Sequence, residues 1–583
     1  MVYGATPGGI AAAVAAAKAG RSVHLVEPTA RIGGMLTHGL SNSDFRSFES
    51  LSGFFLDFSR RVEAYYVAKY GAGSPQVAAC FRGTHGEPSV NLEVLEAMIA
   101  ELPRIRVWRR HSLVRVERTE FNRGRRRIHA AVFKADAGAE ERLAGRVFID
   151  GTYEGDLLAA AGEPYHVGRE SRAHYGEPLA GNARGEGDGQ VQGYNFRLVM
   201  TTREDNRLMP VAPAGYRRDE FVGVLPYFTE GRLTKVFSPG ADGIYRTHLP
   251  LLPNDKADVN DTPRGPVRLS LPDLNDGYPE GDAATRTRIV REHYNHNIGL
   301  LYFLQNDTAV PEAIRADARR WGLCKDEFFE TGGVPPMLYI REARRLVGQH
   351  VFTGADTAPV PGEARTRLRG DSIASGDYVH NCHGTGRTGT RFDGEHDGEF
   401  YLNVSPYQIP YGTIVPQRTE NLLVPVACSA SHFGFGALRL EPIWSSLGQA
   451  AGWAAHLAIQ TPQPVQEVNV SALQSLLHTE RSATLYVSDV APDSADFAAV
   501  QWWALRGGFH GLASGPQPPP APLVGQYTAA FPSHAAQLDL PLTPELRTKW
   551  TALLPAGIAA PTGATTRAEW LRLVFFNVRA GGR

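Results

Sequence analysis

Short apolar runs, each closed by glycine or an acid, punctuate the first 165 residues. Met1-Val2-Tyr3 reads as a strand, Gly4-Ala5-Thr6-Pro7-Gly8-Gly9 as a turn, and Ile10 to Ala19 as an Ala-rich helix. A second strand, Ser22 to Val26, ends in Glu27, and Arg31-Ile32-Gly33-Gly34-Met35 follows closely. Apolar spacing over residues 88–102 (Val90, Leu92, Val94, Leu95, Met98, Ile99) predicts an amphipathic helix. Three β-like runs come next, Ile105 to Trp108, Leu113 to Arg118 and Ile128 to Lys134. A buried strand, Val147-Phe148-Ile149, then closes in Asp150-Gly151-Thr152. From about 165 to 410 the texture changes to Tyr, Asn, Arg, Gly and Pro, with helices expected at places such as Arg286 to Gln305 and Ile340 to Val347. Strand character returns at Leu422 to Val426, and a second small-residue helix is expected from Gly448 to Ile459. Pro516 to Pro522 reads as an extended linker before a small helical appendage.

The opening order of strand, glycine turn, helix, strand and acid is the layout of a dinucleotide-binding βαβ unit. Gly4 permits a tight turn out of the strand, and Gly9 lets the helix lie close to the sheet. The helix start at Gly8 and Gly9 offers free N–H groups and a positive dipole end to a pyrophosphate. Thr6 stands where a second glycine is usual; its hydroxyl is expected on a phosphate, with its Cβ holding the ligand off the backbone. Glu27, 18 residues after Gly9, is placed for a ribose diol. In nicotinamide domains a helix follows that acid. Here Arg31 and the pair Gly33-Gly34 follow instead, a second close approach suited to the longer FAD. Asp150-Gly151 has the layout that returns a chain to such a sheet. Only three residues precede Gly4, where a strand of about five or six is usual. The natural start, or an export signal, is therefore expected upstream; as written, the chain reads as cytoplasmic.

At 583 residues the chain has room for two or three domains. Its 43% hydrophobic and 21% charged residues are ordinary for a globular protein. The net charge of −1 points to no nucleic-acid partner. The short basic run of Arg123 with Arg125-Arg126-Arg127 reads as an exposed turn between strands. Cys80, Cys324, Cys382 and Cys428 are scattered with no C-x-x-C, which argues against a disulfide framework, a zinc ribbon or an iron–sulfur cluster. His380, Cys382 and His383 make one H-x-C-H stretch with no second half, so no metal is assigned. No run reaches the length of a transmembrane helix.

Several stretches, in order, carry a family resemblance. They are Val2 to Gly9 with Gly33-Gly34; Phe148-Ile149-Asp150-Gly151-Thr152-Tyr153-Glu154-Gly155-Asp156-Leu157; Gly168-Arg169-Glu170-Ser171; and Tyr194-Asn195-Phe196-Arg197. Further on come Gly299 to Leu304, Tyr339-Ile340-Arg341-Glu342-Ala343-Arg344-Arg345, and Asn421-Leu422-Leu423-Val424-Pro425 through His432 and Arg439-Leu440-Glu441-Pro442 to Leu447-Gly448-Gln449-Ala450-Ala451-Gly452. Over roughly residues 1–510 the chain resembles the FAD-dependent oxidoreductases of the glutathione-reductase-like superfamily, in a bacterial subgroup often labelled xanthan lyase. The resemblance implies FAD and redox chemistry; it supplies no substrate. Asn381-Cys382-His383 departs from the family's pattern of acid, variable residue and histidine. An asparagine in the orienting place would leave His383 less basic.

The candidate chemistry follows from a flavin. A helix opening at Gly448, Gln449 and Ala450 is expected to aim its N-terminus at the flavin N1 and C2 carbonyl, or else only to pack tightly on the sheet. His432, in a loop just before that helix, is either the base that takes a proton as hydride leaves to N5 or a structural, flavin-contacting residue. Arg439 anchors the flavin or an anionic substrate group, or pairs with Glu441. Arg341 and Arg345 would share one face of a helix, one reaching substrate and the other serving ion pairs. His383 is a substrate-facing candidate, and Tyr407 and Tyr411 are candidate pocket walls. The expected fold is α/β: a Rossmann-like FAD domain from residues 1–165 and 415–465, an inserted mixed α+β substrate domain at 166–414, and an extension at 466–583. The expected function is oxidation of a small polar, sugar-like molecule. A flavin electron-transfer subunit and a polysaccharide lyase stand as alternatives.

Overall fold

The computed structural model describes residues 1–121, 124–136, 138–392, 394–520 and 527–581. Strand β1 (Val2–Tyr3) lies at the centre of a five-stranded parallel sheet. β2 (Val23–Glu27) and β3 (Ile105–Arg109) follow on one side, and Phe148–Asp150 and then Leu422–Leu423 on the other. The register sets Val2 opposite both Leu25 and Ile149. This sheet gathers chain from both ends of the sequence, and Leu422–Leu423 joins it as an edge strand beside Phe148–Asp150.

Helix α1 (Pro7–Lys18) connects β1 to β2 and is buried from Pro7 to Ala17. A helix apolar on every side must be covered on every side. The sheet covers one face and the helix Glu441–Gln460 another. Small residues set that crossing. A Cβ on Gly448 would overlap the Gly8 carbonyl oxygen and stand 2.7 Å from its carbon. The second helix therefore starts earlier than expected. Leu440 is extended, Glu441 and Pro442 open the helix, and Gly448 falls inside it. Its glycines serve helix-to-helix contact and present no N-terminus.

A three-stranded antiparallel sheet (His111–Glu120, Arg126–Ala135, Glu140–Ala144) lies on the far side of Tyr3. The basic run falls at its first hairpin, where Arg125 pairs with Glu420; Arg123 lies outside the described residues.

Between residues 198 and 324 the chain builds a second, six-stranded sheet, mostly antiparallel, which includes Leu198–Thr201, Lys256–Asp261 and Tyr245–Thr247. The long helix Ala283–Asn306 contains the expected one. No helix forms at Ile340 to Val347. Residues 339–344 run as coil, and Arg345–Leu346 pairs with Tyr165–His166. Backbone bonds from Tyr339 to Asn195, Leu346 to Ala427 and Val347 to Pro164 replace helical ones. Tertiary partners thus override a sequence that tolerates a helix.

After the helix Glu441–Gln460 the chain adds the helices Val470–Thr479, Phe497–Ala504, Pro544–Ala552 and Arg567–Gly581. Trp503, Trp550 and Trp570 are the buried centre of the last three. Of the proline-rich stretch, residues 516–520 carry no regular structure, and 521–522 lie outside the described residues. All four cysteines are unpaired and buried. Among the described residues no helix is long and apolar enough to cross a membrane.

Candidate active site

The glycine turn is built as a close contact between strands. Gly4 has φ +90°, and its N–H donates to Val26 O at 2.8 Å. A side chain there would be strained and would also meet Gly151 C at 2.6 Å. Gly9 backs onto the Gly4 carbonyl, and Gly151 stands against Gly4 and Gly9 in turn. Thr6 caps α1: its Oγ1 accepts from Gly9 N (3.2 Å) and donates to Gly151 O (2.7 Å). Both capacities of the hydroxyl are used within the protein, so the expected phosphate bond gives way to a structural one. Glu27 is buried at the end of β2, with Oε2 accepting from Ala5 N (2.8 Å) and Oε1 from Thr29 N (2.9 Å) and Oγ1 (2.7 Å). Burial pushes its carboxyl up to about 7 against those bonds.

These residues line a cleft of about 680 Å³. Ligand clefts run from about 300 to 1,000 Å³. Tyr3, Gly4, Thr6 and Glu27 form one wall, with Thr152, Tyr153 and Glu154 beside them. Ser112 and Leu113 close one side, and Met337, Leu338, Arg286 and Arg344 the other. Asp156 holds both arginines at 2.8 Å.

Other expected cofactor residues lie off this cleft. The Arg31 guanidinium braces the next segment, donating to Thr37 O (2.8 Å) and Pro88 O (3.1 Å). Asp150 caps its own turn, accepting from Thr152 N, Thr152 Oγ1 and Leu158 N. Gln449 accepts from Phe54 N at 3.0 Å and so fixes the helix Gly53–Tyr70. Gly448 and Ala450 are helix-packing residues. Gly33 (φ +97°) and Gly34 do make a close approach, but to Thr37 and the Tyr153 hydroxyl.

Tyr153 leads inward from the cleft. Its hydroxyl accepts from Met35 N (2.9 Å) and donates to Glu441 Oε1 (2.5 Å). Burial pushes the Glu441 carboxyl up to about 8, and its Oε2 has no protein partner. The segment after the glycine pair, residues 32–45, is buried throughout although it carries Thr37, His38, Ser41, Asn42, Ser43 and Asp44. Ser41 Oγ and Asn42 Oδ1 also lack partners. Buried polar atoms are normally bonded. The orphaned Glu441 Oε2, reached from the cleft through Tyr153, and the acid at the end of β2 fit a long polar ligand with a ribose at one end.

Beyond that wall four side chains converge. Tyr339 follows Leu338 of the cleft, and the Arg341 guanidinium lies over its ring at 4.4 Å. Arg341 donates to Gly193 O, Asn195 Oδ1 (2.6 Å) and Asn260 Oδ1 (3.2 Å), and its Nε is unpartnered. Burial draws it down to about 9. Arg439 donates to Asn381 O through Nη2 (2.9 Å) and to Tyr339 Oη (3.2 Å). It makes no pair with Glu441, which is taken by Tyr153. His383 is buried with Nδ1 unpartnered. Burial and the neighbouring arginines, Arg341 and Arg439 foremost, hold it well below the usual imidazole range, so it is neutral. Asn381 does not orient it: the asparagine side chain turns to the Tyr378 hydroxyl (3.4 Å).

His432 opens the short helix His432–Leu438. Its Nδ1 meets both Glu342 oxygens at 2.9 Å, its Nε2 faces Cys382 Sγ at 3.4 Å, and its backbone N–H donates to Glu170 (2.7 Å). Burial opposes its charge, but Glu342 and Cys382 outweigh burial and push it up to about 10. His432 therefore holds its proton at neutral pH, and both ring nitrogens are occupied. Of the two readings the sequence left open, this geometry offers no free base and fits the structural one. Arg345 completes this buried network with Glu342 and Glu170 (2.6 Å). Tyr407 and Tyr411 are core residues, donating to Ala437 O (2.7 Å) and Val465 O (2.8 Å). Among the described residues no group of three or more His, Cys, Asp or Glu is arranged to hold a metal ion.

A family model described as FAD dependent oxidoreductase matches residues 1–477. No curated protein matches the chain. Among solved structures it is similar to THI4 of Thermovibrio ammonificans, at 15% identity over 29% of this chain and 64% of that one, with a TM-score of 0.20. It is also similar to L-proline dehydrogenase of P. horikoshii (13% identity, 26% and 21%, TM-score 0.16). A third is p-nitrophenol 4-monooxygenase PnpA of Pseudomonas putida DLL-E4 (13% identity, 37% and 48%, TM-score 0.19). The chain spans less than two thirds of the length of each. By the family match the chain belongs to the FAD-dependent oxidoreductases, and FAD is its cofactor.

Proposed function

We propose that this FAD-dependent oxidoreductase oxidises an alcohol group of a small polar, sugar-like molecule, at the point where Tyr339, Arg341, His383 and Arg439 converge. The single observation that carries the reading is His383: a buried, neutral imidazole with Nδ1 unpartnered, flanked by two arginines. Glu27, the start of α1 and Glu441 are the groups suited to hold FAD, at its ribose, its pyrophosphate and its inner polar atoms respectively. FAD, when bound, supplies a two-electron acceptor for hydride.

The chain's own residues supply the rest. His383 Nδ1 takes the hydroxyl proton as the C–H bond gives up its hydride and the carbon becomes a carbonyl. Arg341 and Arg439 place positive charge beside the reacting group. They are already fixed by carbonyl oxygens and the Tyr339 hydroxyl, so little reorganisation is needed. His432 keeps its proton and, with Glu342, Glu170 and Arg345, positions the Asn381-Cys382-His383 segment from behind.

The test is anaerobic mixing of the FAD-loaded protein with sugars, polyols, hydroxy acids and amines, read by bleaching of the flavin absorbance. An alcohol-bearing compound should bleach it. His383→Asn should slow that bleaching by about 10²- to 10⁴-fold with FAD still bound. Bleaching by amines alone, or a wild-type rate in His383→Asn, would refute the reading.

A further inference from the structure

We infer that the substrate is an anion: a hydroxy acid whose carboxylate is held by Arg341 and Arg439. The inference rests on the alcohol-oxidising site above and adds the charge of what binds there.

The argument is a charge balance. Around His383, most buried ions are paired. Arg197 meets Asp258 (2.5 Å), Arg268 meets Asp261 (2.9 Å) and Glu399 (2.8 Å), and Arg345 and His432 share Glu342 and Glu170. Arg341 and Arg439 are fully buried, yet among the described residues neither forms an ion pair; every acceptor they use is neutral. The acid whose charge reaches Arg341 is Asp261, which is already paired with Arg268. Arg341 and Arg439 thus stand without an acid of their own. A buried charge without a counter-charge is costly, and a bound anion removes that cost.

The unpartnered atoms point the same way. Among those near His383, Arg341 Nε, Gln192 Nε2 and Arg268 Nη2 are donors. The Gln192 amide is oriented by His383 N–H, which donates to its Oε1 (3.4 Å). Gln192 adjoins Gly193, the carbonyl that receives Arg341. A neutral polyol brings as many donors as acceptors and would leave this set half satisfied. A carboxylate brings acceptors only, and two of them in the geometry a guanidinium matches. Its charge would also offset the field that keeps His383 so weakly basic, so substrate would prepare its own base.

The experiment uses FAD-loaded wild-type protein and matched pairs, malonate against malonamide and gluconate against glucitol. Binding is read from the flavin difference spectrum and from the shift in Tm. Each acid should bind at least about tenfold more tightly than its neutral partner, as charge-assisted hydrogen bonds imply. Arg439→Gln should erase most of that preference; if that variant loses FAD, the wild-type pairs decide alone. Equal binding of acid and neutral members, or no response to either acid, overturns the inference. Bleaching by a neutral polyol in the same experiment would then leave the oxidation reading standing. Failure of every alcohol to bleach the flavin would remove that reading separately.

Discussion

Gly448→Ala offers a direct test of how the glycine turn is held. The new methyl carbon would overlap the Gly8 carbonyl oxygen, and stand 2.7 Å from the Gly8 carbonyl carbon and 2.9 Å from its Cα. All three are backbone atoms of the turn that starts α1, so no side chain can swing aside. Ordinary carbon contacts need about 3.5 Å or more, so the two helices must part by roughly 1 Å. Overpacking of this kind costs about 1–3 kcal/mol, and backbone clashes sit at the upper end. The intrinsic gain of Ala over Gly inside a helix, about 1 kcal/mol, offsets part of it. The net expectation is a loss of about 2 kcal/mol and, for a chain of this length, a fall in Tm of about 2 °C. Because Gly8 belongs to the turn beneath the cleft, FAD should also bind at least about tenfold more weakly, measured by quenching of flavin fluorescence. Gly73→Ala, where a Cβ meets nothing within 4 Å, is the control and should change neither. A Gly448→Ala protein with raised Tm and unchanged FAD Kd would refute this account of the crossing.

Two further outcomes are expected. Thr6→Ala removes a helix cap and its bond to Gly151 but no ligand contact, so stability should fall by about 1 kcal/mol while FAD Kd stays within about threefold; a much larger loss of affinity would return the hydroxyl to the phosphate. Glu342→Gln removes the anion that keeps His432 charged, and breaking such a buried pair costs about 3–5 kcal/mol. The folded His432 value of about 10 lies above its ordinary 6.5, so that advantage of wild type is complete below pH 6.5 and is lost as pH rises through 10. Urea melts of both proteins at pH 6, 8 and 10 measure it, and a difference that grows with pH contradicts the imidazolium.

How much of this could be read from residues alone divides by range. The βαβ unit was legible because its signals are local: glycine where the chain turns, small residues where a helix is covered, an acid at a strand end. Glu27, Gly4 and Thr6 were found this way, and they do line the cleft. Local signals also misled. The spacing of Arg341 and Arg345 suits a helix at Ile340 to Val347, yet bonds to Asn195, Pro164 and Ala427 hold that stretch extended. Gly448 looked like a helix start, but the start is set by extended Leu440 and by Pro442, and the glycine answers to Gly8.

The inner site was out of reach for the same reason. Tyr153 meets Glu441 across 288 residues, Arg341 finds Gly193 across 148, and His432 finds Glu342 across 90. No periodicity encodes such meetings. The sequence by itself determined the βαβ unit, its glycine turn and the class of cofactor, because each is signalled by neighbours in the chain. Only the tertiary structure decided that His432 is a charged, occupied imidazolium, that His383 is neutral with a free nitrogen, and that two buried arginines lack an acid. Those properties come from burial and from charges brought together across hundreds of residues, and folding alone creates them.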